Sequence, residues 1–500
     1  MTNLGISHTV CRAVCITSAL LALVSDSVAA KSLKGSRPNI ILVMTDDQGK
    51  GDLSCLGNPI IKTPHIDRLY SQSTRFRDFH VSPTCAPTRS AIMTGRHEFQ
   101  NGVTHTILER ERMTTKAVTV AEALSAAGYA TGIFGKWHLG DEEPHQPHKR
   151  GFSEVFIHGA GGIGQAYNCS CADAPPNREN RYFDNVIRHN GRFVQTRGFC
   201  TDVFFQAALG WIDARRQTDA PFFAYITPNA PHGPMIAPAK YKQRFLDLGF
   251  DAKSSGRMAM LENIDDNLGL MMQKLKAWKL EQNTLLIFMT DNGQAGRSGR
   301  RNGKSVSLDF SGFKTGKGSP YEGGTRVPAF WRWTGTLPAG RDVDALTAHI
   351  DLFPTFADLA SARLPGGNQI RGRSMLALLQ DPTAAWDDRF LFVHKGRWPK
   401  GADPSKHKFD SCGVRSQRFR LVNNRELFDI QADPFETSNV IDKHPDAVRK
   451  MRAAYDAWWS ETVPMMVNER TPNSATKPFF TLYEAQRQQT GIPDWKPPQL

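Results

Sequence analysis

The chain has 500 residues, 40% hydrophobic and 22% charged, which is the composition of a globular protein and excludes a single small domain. Its formal net charge of +13 asks for anionic partners. No basic-aromatic module accompanies that charge, so nucleic acid is not the expected partner, and anionic lipid or sulfated sugars remain.

In chain order the first thirty residues stand apart. Arg12 precedes the apolar run "AVCITSALLALV", and small residues at Val28 and Ala30 follow. The pattern predicts a signal peptide over 1–30 and an exported protein, periplasmic or secreted. The run is too short to span a bilayer and no later segment reaches that length, so no membrane span is expected. Four apolar runs then end in polar chemistry. "NIILVMTDD" ends at Asp46 and Asp47, "YATGIFGKWH" at Lys136 and His138, "PFFAYITPNAPH" at His232, and "TLLIFMTDN" at Asp291 and Asn292. Near-continuous apolar runs predict strands buried on both faces. Helical patterns lie between them: "VTVAEALSAAG", "FFQAALGWIDARR" and "MLENIDDNLGLMMQKLKAWK". The expected fold is α/β, a large mostly parallel sheet flanked by helices. Sites in such sheets form beyond the carboxyl ends of strands, so the four polar clusters should meet at one edge.

"HIDLFPTFADLASA" reads as a further helix. From about Asp381 the texture changes to short antiparallel strands ("RFLFVHK", "CGVRSQRFRLVNN", "RELFDI") and an amphipathic helix, "HPDAVRKMRAAYDAWWSETV". This predicts a large domain over 31–380 and a smaller C-terminal α+β subdomain over 381–500, with a helix and tail. The stretches 159–200 and 294–313 read as loops, the second carrying Arg297, Arg300, Arg301 and Lys304.

Asp46, Asp47, Asp291 and Asn292 end two matching strands. Either pair alone is the pattern of a helix or turn cap. Two matching pairs at one sheet edge favour a cation, and hard oxygen donors suit Ca²⁺ or Mg²⁺ better than zinc. Lys136 and His138 alternate in an extended segment and can face one site. With His232, Lys317 and Arg89 they would make an electropositive pocket suited to sulfate or phosphate. Cys85 reads either as a thiolate lowered by Arg89 and a helix N-terminus or as a buried or paired cysteine. Of eight cysteines, Cys11 and Cys15 fall in the signal. Cys169 or Cys171 with Cys200 is the expected disulfide, with Cys55 and Cys412 open.

"CAPTRSAIMTG" resembles the type I, formylglycine-dependent sulfatase signature, arylsulfatase-like, of the alkaline phosphatase superfamily. "PNIILVMTDDQGKGDLSCLGNPIIKTPHIDRL", "GYATGIFGKWHLG", "APHGP", "FMTDNG", "GKGSPYEGGTRVP" and "ELFDIQADPFETSNV" follow in family order over roughly 37–460. Gln48 and Lys50 vary the first metal loop, and Met93 stands where Leu is common. The resemblance implies an alkaline-phosphatase-like fold and hydrolysis of a sulfate ester. It implies that a formylglycine-generating enzyme acts on the unfolded chain to oxidise Cys85 to formylglycine. It further implies that Asp46, Asp47, Asp291 and Asn292 hold Ca²⁺ together with the modified Cys85, and that Arg89 orients the aldehyde hydrate. Lys136 and Lys317 would hold the sulfate oxygens, His138 would hold or deprotonate the hydrate, and His232 would protonate the leaving oxygen, a role shared with Lys317.

The expected substrate is a sulfated carbohydrate or aryl sulfate, with "HKGRWPKG" (His394 to Gly401) and the Arg297–Lys304 stretch as candidate walls. Three alternatives stand beside it: a phosphonate or phosphate ester hydrolase of the same superfamily, a non-catalytic polyanion-binding protein on the same fold, and a hydrolase using an unmodified Cys85 thiolate.

Overall fold

A computed structural model describes residues 1–2, 32–176 and 181–500. The expected signal peptide therefore lies, but for its first two residues, outside the described residues. Ten strands form one mixed sheet. Its centre is five parallel strands in the order Thr284–Thr290, Asn39–Thr45, Phe222–Thr227, Ala130–Lys136 and Glu154–His158. The four expected strands are thus immediate neighbours. They read as continuous apolar runs because both faces are covered. Ile40, Leu42 and Met44 enter a core with the helices Val120–Ala126 and Leu352–Ala360. Ile41 and Val43 enter a second core with the helices Cys200–Arg215 and Ala252–Ala277.

Antiparallel strands extend the sheet on both sides. Ala329–Arg332 pairs with Thr284–Thr290, and Val186–His189 with Glu154–His158, carrying Arg192–Gln195 at the outer edge. These last two strands lie within 159–200, read as loop, and the hairpin Ser298–Arg301/Lys304–Ser307 lies within 294–313, the other stretch read as loop. Their cross-strand partners, not their own periodicity, make them strands.

A separate antiparallel sheet takes Leu391–His394, Cys412–Arg415, Phe419–Val422 and Glu426–Asp429 in order. The helix Pro445–Thr462 covers it, burying Tyr455, Trp458 and Trp459 with Leu421, Leu427 and Trp398. The tail returns to the large sheet. Phe479, in the helix Pro478–Gln489, joins the first core, and Gln486 exchanges two side-chain hydrogen bonds with the backbone of Phe193. Leu33–Leu500 forms one compact unit. No described helix is long and apolar enough to cross a membrane.

The expected disulfide is not formed. Cys55, Cys85, Cys169, Cys171, Cys200 and Cys412 are all free. Cys200 sits in the second core, its Sγ 3.4 Å from Asn229 Oδ1, whereas Cys169 and Cys171 pack in a separate small cluster with Ala160.

Candidate functional site

Register builds the site. Asn39–Thr45 and Thr284–Thr290 pair in parallel from Asn39 opposite Thr284 to Thr45 opposite Thr290. Asp46–Asp47 and Asp291–Asn292 therefore leave the sheet at adjacent points of one edge. Asp47 adopts a left-handed φ of +68°, and its backbone N–H donates to Asp291 Oδ1 at 3.1 Å. The neighbouring strands deliver Lys136 at their own end and His232 five residues on. Cys85 opens the buried helix Cys85–Thr94, so its side chain stands at a helix N-terminus.

Most of the sequence-predicted residues are linked by short contacts. Lys136 Nζ donates to Asp46 Oδ2 at 2.6 Å. Arg89, fully buried, donates to the Lys136 carbonyl at 2.8 Å and to Asp291 Oδ2 at 2.9 Å. Lys317 pairs with Asp47 Oδ1, which also accepts from Asn292 Nδ2 at 3.0 Å. His232 Nε2 stands 3.9 Å from Asp47 Oδ2.

Burial opposes each charge here, and the partners decide the outcome. Burial raises the Cys85 thiol, but Lys136 and Lys317 bring it below its usual value. Burial likewise raises Asp46, yet Lys136, His232 and Arg89 hold it well below the carboxylate range. Asp291, buried beside Asp46, is pushed well above that range despite Arg89. Burial and Lys136 hold His138 well below its usual value, so its ring is neutral. Its Nε2 lies 2.7 Å from the Thr106 carbonyl, which can only accept. The proton is therefore on Nε2, and Nδ1, buried and without a hydrogen-bond partner among the described residues, keeps a bare lone pair.

The donor set fits a hard divalent cation. Ligand atoms of Asp46, Cys85 and Asp291 lie within 4.8 Å of one another. Among the described residues Asp46 Oδ1 and Asn292 Oδ1 are buried with no hydrogen-bond partner, a costly state that a cation would relieve. Asp78, His80 and Glu322 meet the same distance test. That trio is already neutralised by Arg415, Arg420 and Arg326, so it does not need an ion.

Several residues at this edge escaped the sequence reading. Thr106 orients His138. Gly161 lets the backbone pass so close that a Cβ there would stand 3.1 Å from His138 Cε1 and 3.3 Å from Gln165 Oε1, which also accepts from the Tyr167 hydroxyl at 2.8 Å. The glycines of "GAGGIG" were the available signal. Of the two candidate walls, His394–Gly401 reaches the loop around Thr106 through Arg397. In the other, Arg297 is paired with Asp309, and the hairpin leans on the start of the helix Ala252–Ala277.

The family model for sulfatases matches residues 38–362. The chain belongs to the sulfatase family. It is a sulfuric ester hydrolase with an alkaline-phosphatase-like fold. The C-terminal model for N-sulphoglucosamine sulphohydrolase matches this sulfatase over 316–455. N-acetylgalactosamine-6-sulfatase of Sus scrofa is 32% identical over 401 residues, covering 74% of this chain and 71% of the relative. Arylsulfatase A of Homo sapiens is 33% identical over 377 residues, covering 70% and 68%. The solved structure of Ps i-CgsB in complex with k-i-k-neocarrahexaose superposes with a TM-score of 0.73 at 28% identity, covering 90% of this sulfatase and 97% of that chain.

Proposed function

We propose that this sulfatase removes sulfate from a sulfated carbohydrate, using a formylglycine made from Cys85 and a divalent ion, Ca²⁺ by donor chemistry, held by Asp46, Asp47, Asp291 and Asn292. The observation that carries the reading is Cys85 itself. It is buried at a helix N-terminus, with Asp46 and Asp291 in ligand reach and Lys136 and Lys317 lowering its thiol. The hydrated aldehyde would supply two hydroxyls on one carbon, one to attack sulfur and one to drive sulfate release, which a serine could not do. The divalent ion would supply positive charge for the sulfate oxygens.

The chain's own residues divide the remaining work. Lys136 and Lys317 bring fixed positive charge to the sulfate oxygens, and Arg89 holds Asp291 and the end of the Lys136 strand in place. His138 Nδ1, neutral and unpartnered, is the base available to a hydroxyl on residue 85. His232 donates through Nδ1 to the Gly233 carbonyl at 2.9 Å. Its Nε2, 3.9 Å from Asp47 Oδ2, is the atom this reading assigns to the leaving oxygen.

The carbohydrate assignment draws on the net charge, on the similarity to an N-acetylgalactosamine-6-sulfatase and on the neighbour bound to k-i-k-neocarrahexaose. Export rests on the sequence of residues 1–30. Turnover of aryl sulfate compared with aryl phosphate and phosphonate esters tests the reaction. Sulfate should be preferred; a preference for either phosphorus ester would overturn it.

A further inference from the structure

We infer that the loop Lys395–Arg397 recognises a second anionic group on the substrate, beside the sulfate that is removed. The inference rests on the sulfatase reading above and adds to it the kind of sugar that fits. The loop leaves the strand Leu391–His394 of the small sheet and is pressed onto the loop that carries Thr104 and Thr106. Gly396 has φ +64°, and a Cβ there would stand 2.1 Å from the Thr104 carbonyl oxygen, so glycine alone permits the approach. Arg397 follows with φ +63°, an uncommon conformation for a residue with a side chain. Its N–H donates to the same carbonyl at 3.1 Å, and its Nη2 donates to Thr106 Oγ1 at 3.1 Å. The Thr106 carbonyl is the acceptor for His138, so the guanidinium is anchored to the residue that orients the candidate base.

Lys395 approaches from the other side. Its Nζ lies 4.0 Å from the point where a Cβ on Gly318 would stand, next in sequence to Lys317, and the Gly318 N–H donates to the Pro83 carbonyl, two residues before Cys85. The loop thus links the Lys317 side of the centre to the His138 side.

Both cations are half-buried. Among the described residues neither has a carboxylate within 4 Å, and the Arg397 Nε is buried without a partner. Glu469, the buried acid of this corner, is taken by Arg110, Thr104 and Trp398. Burial pushes neighbouring His105 down to about 3, and Arg397, Arg110, His138 and Lys395 add to the effect, so that ring stays neutral beside the two cations. Partly desolvated cations without a counterion are costly unless an anion arrives, and a guanidinium suits a planar or tetrahedral oxyanion. The group is either a second sulfate on the same sugar or the carboxylate of an adjoining uronic acid.

The test uses the full chain and four sulfate esters: 4-nitrophenyl sulfate, a monosulfated N-acetylhexosamine, the same sugar with a second sulfate, and the same monosulfated sugar joined to a uronic acid. The unaltered enzyme should favour one of the last two by kcat/KM. In Lys395→Met and Arg397→Met that preference should fall about tenfold each, through KM more than kcat, as for a lost charge-assisted contact. Lys395→Arg should restore part of it. Equal losses on all four esters, or no preference in the unaltered enzyme while 4-nitrophenyl sulfate is turned over, would overturn the inference and leave the sulfatase reading standing. No sulfate ester turned over at all would overturn both.

Discussion

Two histidines at the candidate site turn different nitrogens towards it, and the proposed roles follow that difference. His138 gives its Nε2 proton to a backbone carbonyl and keeps a lone pair on Nδ1; His232 gives its Nδ1 proton to Gly233 and turns Nε2 towards Asp47. As general acid, His232 should matter most when the leaving alcohol is basic. His232→Ala should lower kcat by ~10²–10⁴ on a sugar sulfate and much less on 4-nitrophenyl sulfate. Equal loss on both would remove it from that role. The carboxylates make a second prediction. Asp46 and Asp291 are opposed in proton affinity and share a site with unpartnered oxygens. Metal analysis of the purified enzyme should find one divalent ion per chain, and Asp46→Asn or Asp291→Asn should lose it. Full retention in both variants would contradict the ligand assignment.

Among the elements, the parallel register of two matching strands brings together the four oxygen donors of the candidate site. It was legible because both strands end in the same pattern, "MTDD" and "MTDN", and the edge of a parallel sheet is where such endings meet. The buried ion network between the two sheets was not legible. Glu322 accepts from Arg415 and Arg420 while Asp78 accepts from Arg415 and His80, joining residues more than three hundred positions apart. No local pattern encodes such a distance. Glu322→Ala would remove the acid shared by two buried guanidinium groups, leaving Arg415 to Asp78 alone, and should destabilise the fold by about 3–5 kcal/mol in denaturant unfolding. A change below 1 kcal/mol would make the network dispensable.

His80 gives that network a pH signature. Arg420 donates to its Nδ1 and its Nε2 donates to Asp78, so the ring is neutral. Burial lowers it from 6.5 to about 4, against the pull of Glu322 and Asp78. The unfolded chain therefore binds a proton that the folded one refuses, and stability falls as pH drops from 6.5 towards 4. His80→Gln should lose less over that window, by on the order of 1.4 kcal/mol per pH unit. Parallel stability curves for the two proteins would contradict this.

At the scale of the whole molecule, the alternation of buried strands and helices was readable because both sheet faces are covered. The edge strands at 186–195, the hairpin at 298–307 and the return of the tail to the large sheet were not, since each is stabilised by a partner distant in sequence. The disulfide failed for a related reason: cysteine spacing carries no information about which core each thiol enters. The net charge of +13 acts over the full surface and is screened by salt. KM for a polysulfated glycan should therefore rise between low and physiological ionic strength more than KM for 4-nitrophenyl sulfate does. The central claim is tested most directly by the mass of the tryptic peptide Asp78–Arg89 from enzyme that turns over an aryl sulfate. The account predicts a peptide that has lost the sulfur and two hydrogens of Cys85 and gained one oxygen. An unmodified thiol throughout a fully active preparation would contradict it.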